Sequence, residues 1–105
     1  MVTGYARQKV NGGKLISVRL AFDLEISEIE ILGDFFIHPE EGLADIENSL
    51  IGMQINKNVE QVAETISRVA TENNIEMIGV TPEAIANTIN MAVKNGMASN
   101  KSYEQ

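Results

Sequence analysis

The stretch "NGGKLISVRLAF" (residues 11–22) decides the fold, because it contains a turn and the strand that follows it. Along this strand Ile16, Val18, Leu20 and Phe22 alternate with a second, more polar set of residues. A period of two is typical of a β-strand with one buried face. The preceding segment "YARQKV" (5–10) has the composition of a second strand, so the two predict a hairpin.

The length of the hairpin loop sets the register. A three-residue loop at Asn11-Gly12-Gly13 aligns the apolar residues of both strands on one face. A two-residue loop would instead place the apolar residues of the two strands on opposite faces of the sheet. The predicted pairs are Val10 with Lys14, Gln8 with Ile16, and Ala6 with Val18. Such a loop needs a left-handed backbone position, which glycine adopts at little cost.

A third strand follows at "EIEIL" (28–32), where Ile29 and Ile31 alternate with Glu28 and Glu30. We expect segments 5–10, 14–22 and 28–32 to form one antiparallel sheet with a solvent-exposed face. The isoleucines would lie on the face that helices cover.

Three amphipathic helices are predicted after the sheet, over about 40–51, 58–73 and 82–95. The signals at their ends are capping residues, prolines and glycines, namely Pro39, Gly52, Asn58, Asn73-Asn74, Thr81, Pro82 and Asn95-Gly96. Residues 75–80 fit either a strand or a buried connector. The fold class is therefore α+β: a small two-layer domain with a three-stranded antiparallel sheet followed by about three helices packed on one face.

The composition indicates one domain, 1–105, with a core at about 5–96 and a polar tail at 97–105. The chain has no cysteine, which excludes disulfides and thiolate zinc sites. Its net charge of −7 disfavours general binding of nucleic acids. Nothing in the sequence resembles a membrane span or a signal peptide, so a cytoplasmic location is expected.

The charge is unevenly distributed. Arg7, Lys9, Lys14 and Arg19 all precede the first acidic residue, Asp23. Either this is chance on a solvated strand face, or a small basic edge meets an anionic partner.

The segment "ILGDFFIHPEEG" (31–42) contains the residues that could most readily take part in catalysis or binding. His38 is a lone histidine without an adjacent partner for catalysis or metal binding, so a structural or peripheral role is favoured. Asp34 is predicted to accept backbone N–H bonds in the turn. Phe35 and Phe36 are consecutive, so one is predicted to fill the core and the other to be exposed or to cover a partner.

The sequence shows no nucleophile–base pair, metal cluster or dinucleotide fingerprint, and "NGGK" lies between strands rather than in a phosphate loop. The residues taken alone therefore favour a non-catalytic binding or accessory module. An independent enzyme is the least favoured alternative.

The motifs "NGGKLISVRL" and "ILGDFFIHPEEGLADIENSLIG", with the closing "IGVTPEAIANTINMAV", resemble the small accessory domain of lipoate–protein ligases. The resemblance covers most of residues 7–95. We expect no attached catalytic domain, as in the split (bipartite) ligases whose accessory domain is a separate small subunit.

The resemblance implies a non-catalytic subunit that acts with a large catalytic subunit in ATP-dependent activation of lipoate to lipoyl-adenylate, and so in protein lipoylation. By this resemblance the partners are the large subunit, as a heterodimer, and indirectly the lipoyl carrier domains of 2-oxoacid dehydrogenases or the glycine cleavage system. Lipoate, ATP and Mg²⁺ would be used by the complex, with no cofactor bound by this chain alone.

None of the matched residues is expected to be catalytic. The candidates for contacts to a partner or to phosphate are Gly12, Gly13, Lys14, Gly33, Asp34, Phe35, Phe36 and Pro39. Lys14 is the most plausible, and a solvated lysine at a turn explains it equally well. The alternative function is a stand-alone interaction or regulatory module that binds another acyl-transfer enzyme or carrier protein.

Overall fold

The computed structural model describes residues 1–10, 12 and 14–103, with side chains through Ser99. The chain forms a three-stranded antiparallel sheet, a separate two-stranded sheet and three α-helices. The predicted α+β class is confirmed. In chain order the elements are β1 (Val2–Lys9), β2 (Leu15–Phe22), β3 (Ile26–Gly33), β4 (Phe36–His38), α1 (Gly42–Leu50), α2 (Val59–Glu72), β5 (Glu76–Ile78) and α3 (Pro82–Tyr103).

The hairpin register is as predicted. Gln8 pairs with Ile16 and Ala6 with Val18. The backbone N–H of Val10 donates to the carbonyl of Lys14 at 2.8 Å, which closes the predicted three-residue loop. Within that loop Gly12 has φ +84°, the left-handed conformation that the loop requires.

The core lies between one face of the large sheet and the helices. The inward set of β2 is buried, as is Ile31 of β3, while Ile29 is partly buried against the same cluster. The helices add the apolar stripes that their spacing predicted. The fully buried residues they contribute include Ile46, Leu50, Ile66 and Ile85.

The predicted caps of α2 and α3 are confirmed. The Asn58 side chain accepts from the Gln61 N–H at 2.8 Å, and the Gln61 side chain accepts from the Asn58 N–H at 3.0 Å. This reciprocal pair is a capping box. The Thr81 hydroxyl accepts from the Ala84 N–H at 3.1 Å at the start of α3. Gly52, just after α1, has φ +88° and is the predicted C-terminal glycine.

The predicted start of the first helix is wrong by about two residues. Pro39 lies before α1 rather than in its first turn, and it follows a cis peptide bond from His38. The Pro39 carbonyl accepts from the Gly42 N–H at 2.9 Å, forming the turn from which α1 begins. Glu41 occupies the N-cap position.

The predicted stop of the last helix at Asn95-Gly96 is also wrong, since α3 continues to Tyr103. Gly96 lies where α3 crosses β1. A Cβ atom there would be 3.0 Å from the Phe22 ring and 3.1 Å from the Cα of Gly4. The glycine therefore permits close helix–strand packing instead of ending the helix.

The two-stranded sheet was only half predicted. The sequence of residues 75–80 fits either a strand or a connector, and residues 76–78 form β5. Its antiparallel partner, β4, was not predicted. Ile37 and Met77 face inward at the centre of this pair and pack against the core.

Candidate functional site

The two motifs that carry the sequence resemblance meet in the structure. Leu15 belongs to the GGKL hairpin and Asp34 to the GDFF turn. The Asp34 backbone N–H donates to the Leu15 carbonyl at 3.0 Å, extending the β2–β3 ladder by one pair beyond Gly33. Residues 10, 12, 14 and 33–36 therefore lie at one end of the sheet, which we call the hairpin end.

Gly33 is required by this junction. A Cβ atom at Gly33 would collide with the Leu15 carbonyl and with the Phe35 ring. The motif glycine thus allows the chain to turn out of β3 while staying bonded to β2. The hydrogen bond at Asp34 uses its backbone N–H, rather than the carboxylate contact predicted from the sequence.

Phe35 and Phe36 have different environments, as predicted for consecutive aromatics. Phe35 is partly buried and packs against the core cluster. Phe36, the first residue of β4, is 70% exposed. Its cross-strand partner Ile78 is 50% exposed on the same outer face of the small sheet. The hairpin end thus displays an aromatic side chain beside an isoleucine.

Lys14 lies near Gly79, which follows Ile78 in the chain. A Cβ atom built on Gly79 would lie 3.7 Å from the Cε atom of Lys14. It would also lie 3.7 Å from the Cβ atom of Phe35. Gly79 follows β5 with φ +86°, where an L side chain would be strained. The structure therefore brings Lys14, Phe35 and the end of β5 together, and the Lys14 side chain is exposed beside them.

The other candidates contribute less to this surface. Gly12 is exposed in the loop, and Gly13 lies outside the described residues. Pro39 is at the far end of β4 and serves the start of α1. His38 is exposed opposite Glu76 in the β4–β5 pair.

The arrangement is suited to contact with another surface. Within residues 1–10, 12 and 14–103, no group of three or more His, Asp or Glu side chains is placed to hold a metal ion. An exposed aromatic, an isoleucine and a lysine at one end can supply buried apolar area and a positive charge to a partner. The sequence did not single out Ile78. Its pairing with Phe36 places its side chain on the same exposed face of the small sheet.

The search of family models found no match, and the search of curated proteins found none. A solved structure does match. It is a chain from the archaeal lipoylation system of Thermoplasma acidophilum, which comprises a bipartite lipoate protein ligase and its E2 lipoyl domain. The match has a TM-score of 0.69 and 28% sequence identity, and covers 83% of this chain and 93% of that chain.

The predicted resemblance to the lipoate–protein ligase accessory subunit is confirmed. No helix in the described part of the chain is long and apolar enough to cross a lipid bilayer.

Proposed function

We propose that this chain is the non-catalytic accessory subunit of a bipartite lipoate–protein ligase. It acts in the cytoplasm with a larger catalytic subunit and is needed for the ATP-dependent activation of lipoate. The observation that carries the proposal is the fold match to a bipartite ligase, which covers 93% of that chain. The junction of Leu15 with Asp34 supports it, because both matching motifs lie in one place.

The reaction has two steps. A carboxylate oxygen of lipoate attacks the α-phosphorus of ATP, and pyrophosphate leaves. A lysine amine of a lipoyl carrier domain then attacks the acyl carbon of the lipoyl-adenylate, and AMP leaves. In this proposal the larger subunit holds lipoate, ATP and Mg²⁺. The described part of this chain has no acidic cluster to hold a metal ion, so no chemical step is assigned to it.

In this proposal the chain contributes by covering the active site of the larger subunit. An acyl-adenylate is hydrolysed readily, so a subunit that covers the site and excludes water protects the intermediate. Docking can also order loops around the phosphates before the chemical step. Phe36 and Ile78 provide an apolar anchor for such docking. Lys14, exposed near the end of β5, provides a positive charge.

Reconstitution tests the proposal. Lipoate-dependent release of pyrophosphate and lipoylation of a carrier domain are measured with this chain alone, with the larger subunit alone and with both. Activity is expected only from the mixture, in which the two chains should also co-purify. Full activity of the larger subunit alone, or release of pyrophosphate by this chain alone, would refute the assignment. Reactions without lipoate are the control.

A further inference from the structure

β1 forms one edge of the large sheet, whose strand order is β1-β2-β3. In an antiparallel pair, alternate residues direct their backbone groups towards the partner strand and away from it. The bond from the Val10 N–H to the Lys14 carbonyl places the even-numbered residues of β1 in the set that faces β2. The backbone N–H and C=O of Arg7 and Lys9 therefore point away from the sheet. We call these groups the free edge.

Other edge positions of the sheet are occupied by side chains. The Asn95 amide of α3 donates to the Tyr5 carbonyl at 2.8 Å. On the opposite edge, the Glu47 carboxylate accepts from the Ile31 N–H at 2.8 Å. Among the described residues, no comparable side chain bonds the outward groups of Arg7 or Lys9. The free edge is thus a short segment of β1 whose outward backbone groups are open.

A cleft of about 580 Å³ lies beside the free edge. We call it the edge cleft. Glu83, Asn87 and Asn95 are spaced by four and eight residues along α3, so the edge cleft is on the side of the helix from which Asn95 reaches β1. Its lining comes from the inward residues of β1, from the connection between β5 and α3, and from the first turns of α3, and includes Gln8, Val10, Val80, Glu83, Ala84 and Asn87.

The other side of the free edge is basic. The side chains of Arg7 and Lys9 are exposed on the outer face of the sheet, opposite the described helices. The ion pairs among the described residues join Met1 to Asp23 and Arg19 to Glu30, and neither includes Arg7 or Lys9. Two uncompensated cations therefore stand on the edge of a chain whose net charge is −7.

We propose that the free edge binds an extended segment of the larger ligase subunit as an additional β-strand. Carboxylate side chains of that segment lie over Arg7 and Lys9, and apolar side chains enter the edge cleft. The identity of the partner rests on the proposed function. Strand addition draws its affinity from backbone hydrogen bonds and its specificity from pockets for alternate side chains.

The geometry of the free edge favours an added strand in which acidic and apolar side chains alternate. Successive side chains of a strand point to opposite faces, so one set of the added strand meets the basic face and the other meets the cleft. Glu83 lines the cleft and disfavours a carboxylate on that side. Exposed basic residues on an edge also oppose pairing between two copies of this chain, since the cations would be brought together. An acidic and apolar segment satisfies both conditions.

Hydrogen exchange of the full chain, free and bound to the larger subunit, tests the proposal. The amides of Arg7 and Lys9 should exchange rapidly in the free chain and slow by about tenfold or more in the complex. The Thr3 amide, farther along the same edge, is the control and should change little. Protection confined to the strands β4 and β5 would overturn the proposal and leave the proposed function intact. Absence of any complex would overturn both.

A pair of variants distinguishes strand addition from contact through side chains. Arg7→Ala and Arg7→Pro both remove the guanidinium, but only proline removes the outward N–H, which the β1–β2 ladder does not use. Arg7→Pro should bind the larger subunit about five- to tenfold more weakly than Arg7→Ala, as expected for one lost backbone hydrogen bond. Equal affinities of two folded variants would refute strand addition. If Arg7→Pro does not fold, hydrogen exchange decides.

Discussion

The carboxylate of Glu47 on α1 accepts a hydrogen bond from the backbone N–H of Ile31 on β3 at 2.8 Å. Ile31 lies on the outer edge of the sheet and its side chain is fully buried. This contact ties α1 to the sheet and satisfies a donor that the sheet itself leaves unpaired.

Removing this acceptor should destabilise the fold. Glu47→Ala leaves the Ile31 N–H without its partner and should lower the free energy of unfolding by about 1–3 kcal/mol. Glu47→Gln is the matched control, because its amide oxygen can still accept, and it should retain most of the stability. Urea unfolding measures both. Equal losses in the two variants would show that the negative charge, rather than the hydrogen bond, is what matters.

The crossing of β1 and α3 should tolerate no side chain at Gly4. A Cβ atom there would collide with the Ala92 carbonyl, which belongs to the helix backbone and cannot rotate away. We expect Gly4→Ala to cost about 1–3 kcal/mol, as overpacking of a close contact does. The exposed neighbour Thr3→Ala should stay within about 0.5 kcal/mol of the native chain. A Gly4→Ala variant as stable as Thr3→Ala would mean that α3 shifts without penalty.

The hairpin was predictable because two local constraints agree. The parity of the apolar residues and the length of the Asn11–Gly13 loop allow a single register, and the strands have that register. The same register, continued to β3, brings Leu15 opposite Asp34. The meeting of the two motifs therefore follows from strand pairing, although they are separated by almost twenty residues in the chain.

Other features depend on contacts that no local pattern shows. A glycine near the end of an amphipathic segment indicates a helix stop, but Gly96 is explained by Gly4, at the other end of the chain. The strands β4 and β5 have three residues each, too few to show a period. Consecutive aromatics predicted one buried ring, and only the structure shows that it is Phe35.

The capping box at the start of α2 provides a third prediction. Asn58→Ala removes the acceptor for the Gln61 N–H and should cost about 1 kcal/mol, whereas Asn58→Ser keeps an acceptor and should cost much less. Thermal unfolding of the two variants compares them directly. If both lose the same stability, then the bond from the Asn58 N–H to the Gln61 side chain would be the more important half of the box.

The two phenylalanines of the GDFF turn should separate stability from binding. Phe35 packs against the core, so Phe35→Ala should lower the free energy of unfolding by up to about 3 kcal/mol, the lower end of the range for a fully buried ring. Phe36 is 70% exposed, so Phe36→Ala should leave the melting temperature nearly unchanged. If Phe36 anchors the larger subunit, its truncation should weaken binding at least about tenfold, in line with an aromatic hot spot.

The control for Phe36→Ala is Leu24→Ala. Leu24 is even more exposed, at 82%, and lies in the β2–β3 turn, at the opposite end of β2 from Lys14. Both variants remove an exposed apolar side chain, so a general loss of apolar surface would affect them alike. Weaker binding by Phe36→Ala alone would assign the contact to the hairpin end. Unchanged binding by both would make the GDFF sequence a requirement of the fold, since Gly33 and Phe35 already have structural roles, and would leave the basic edge at Arg7 and Lys9 as the docking surface.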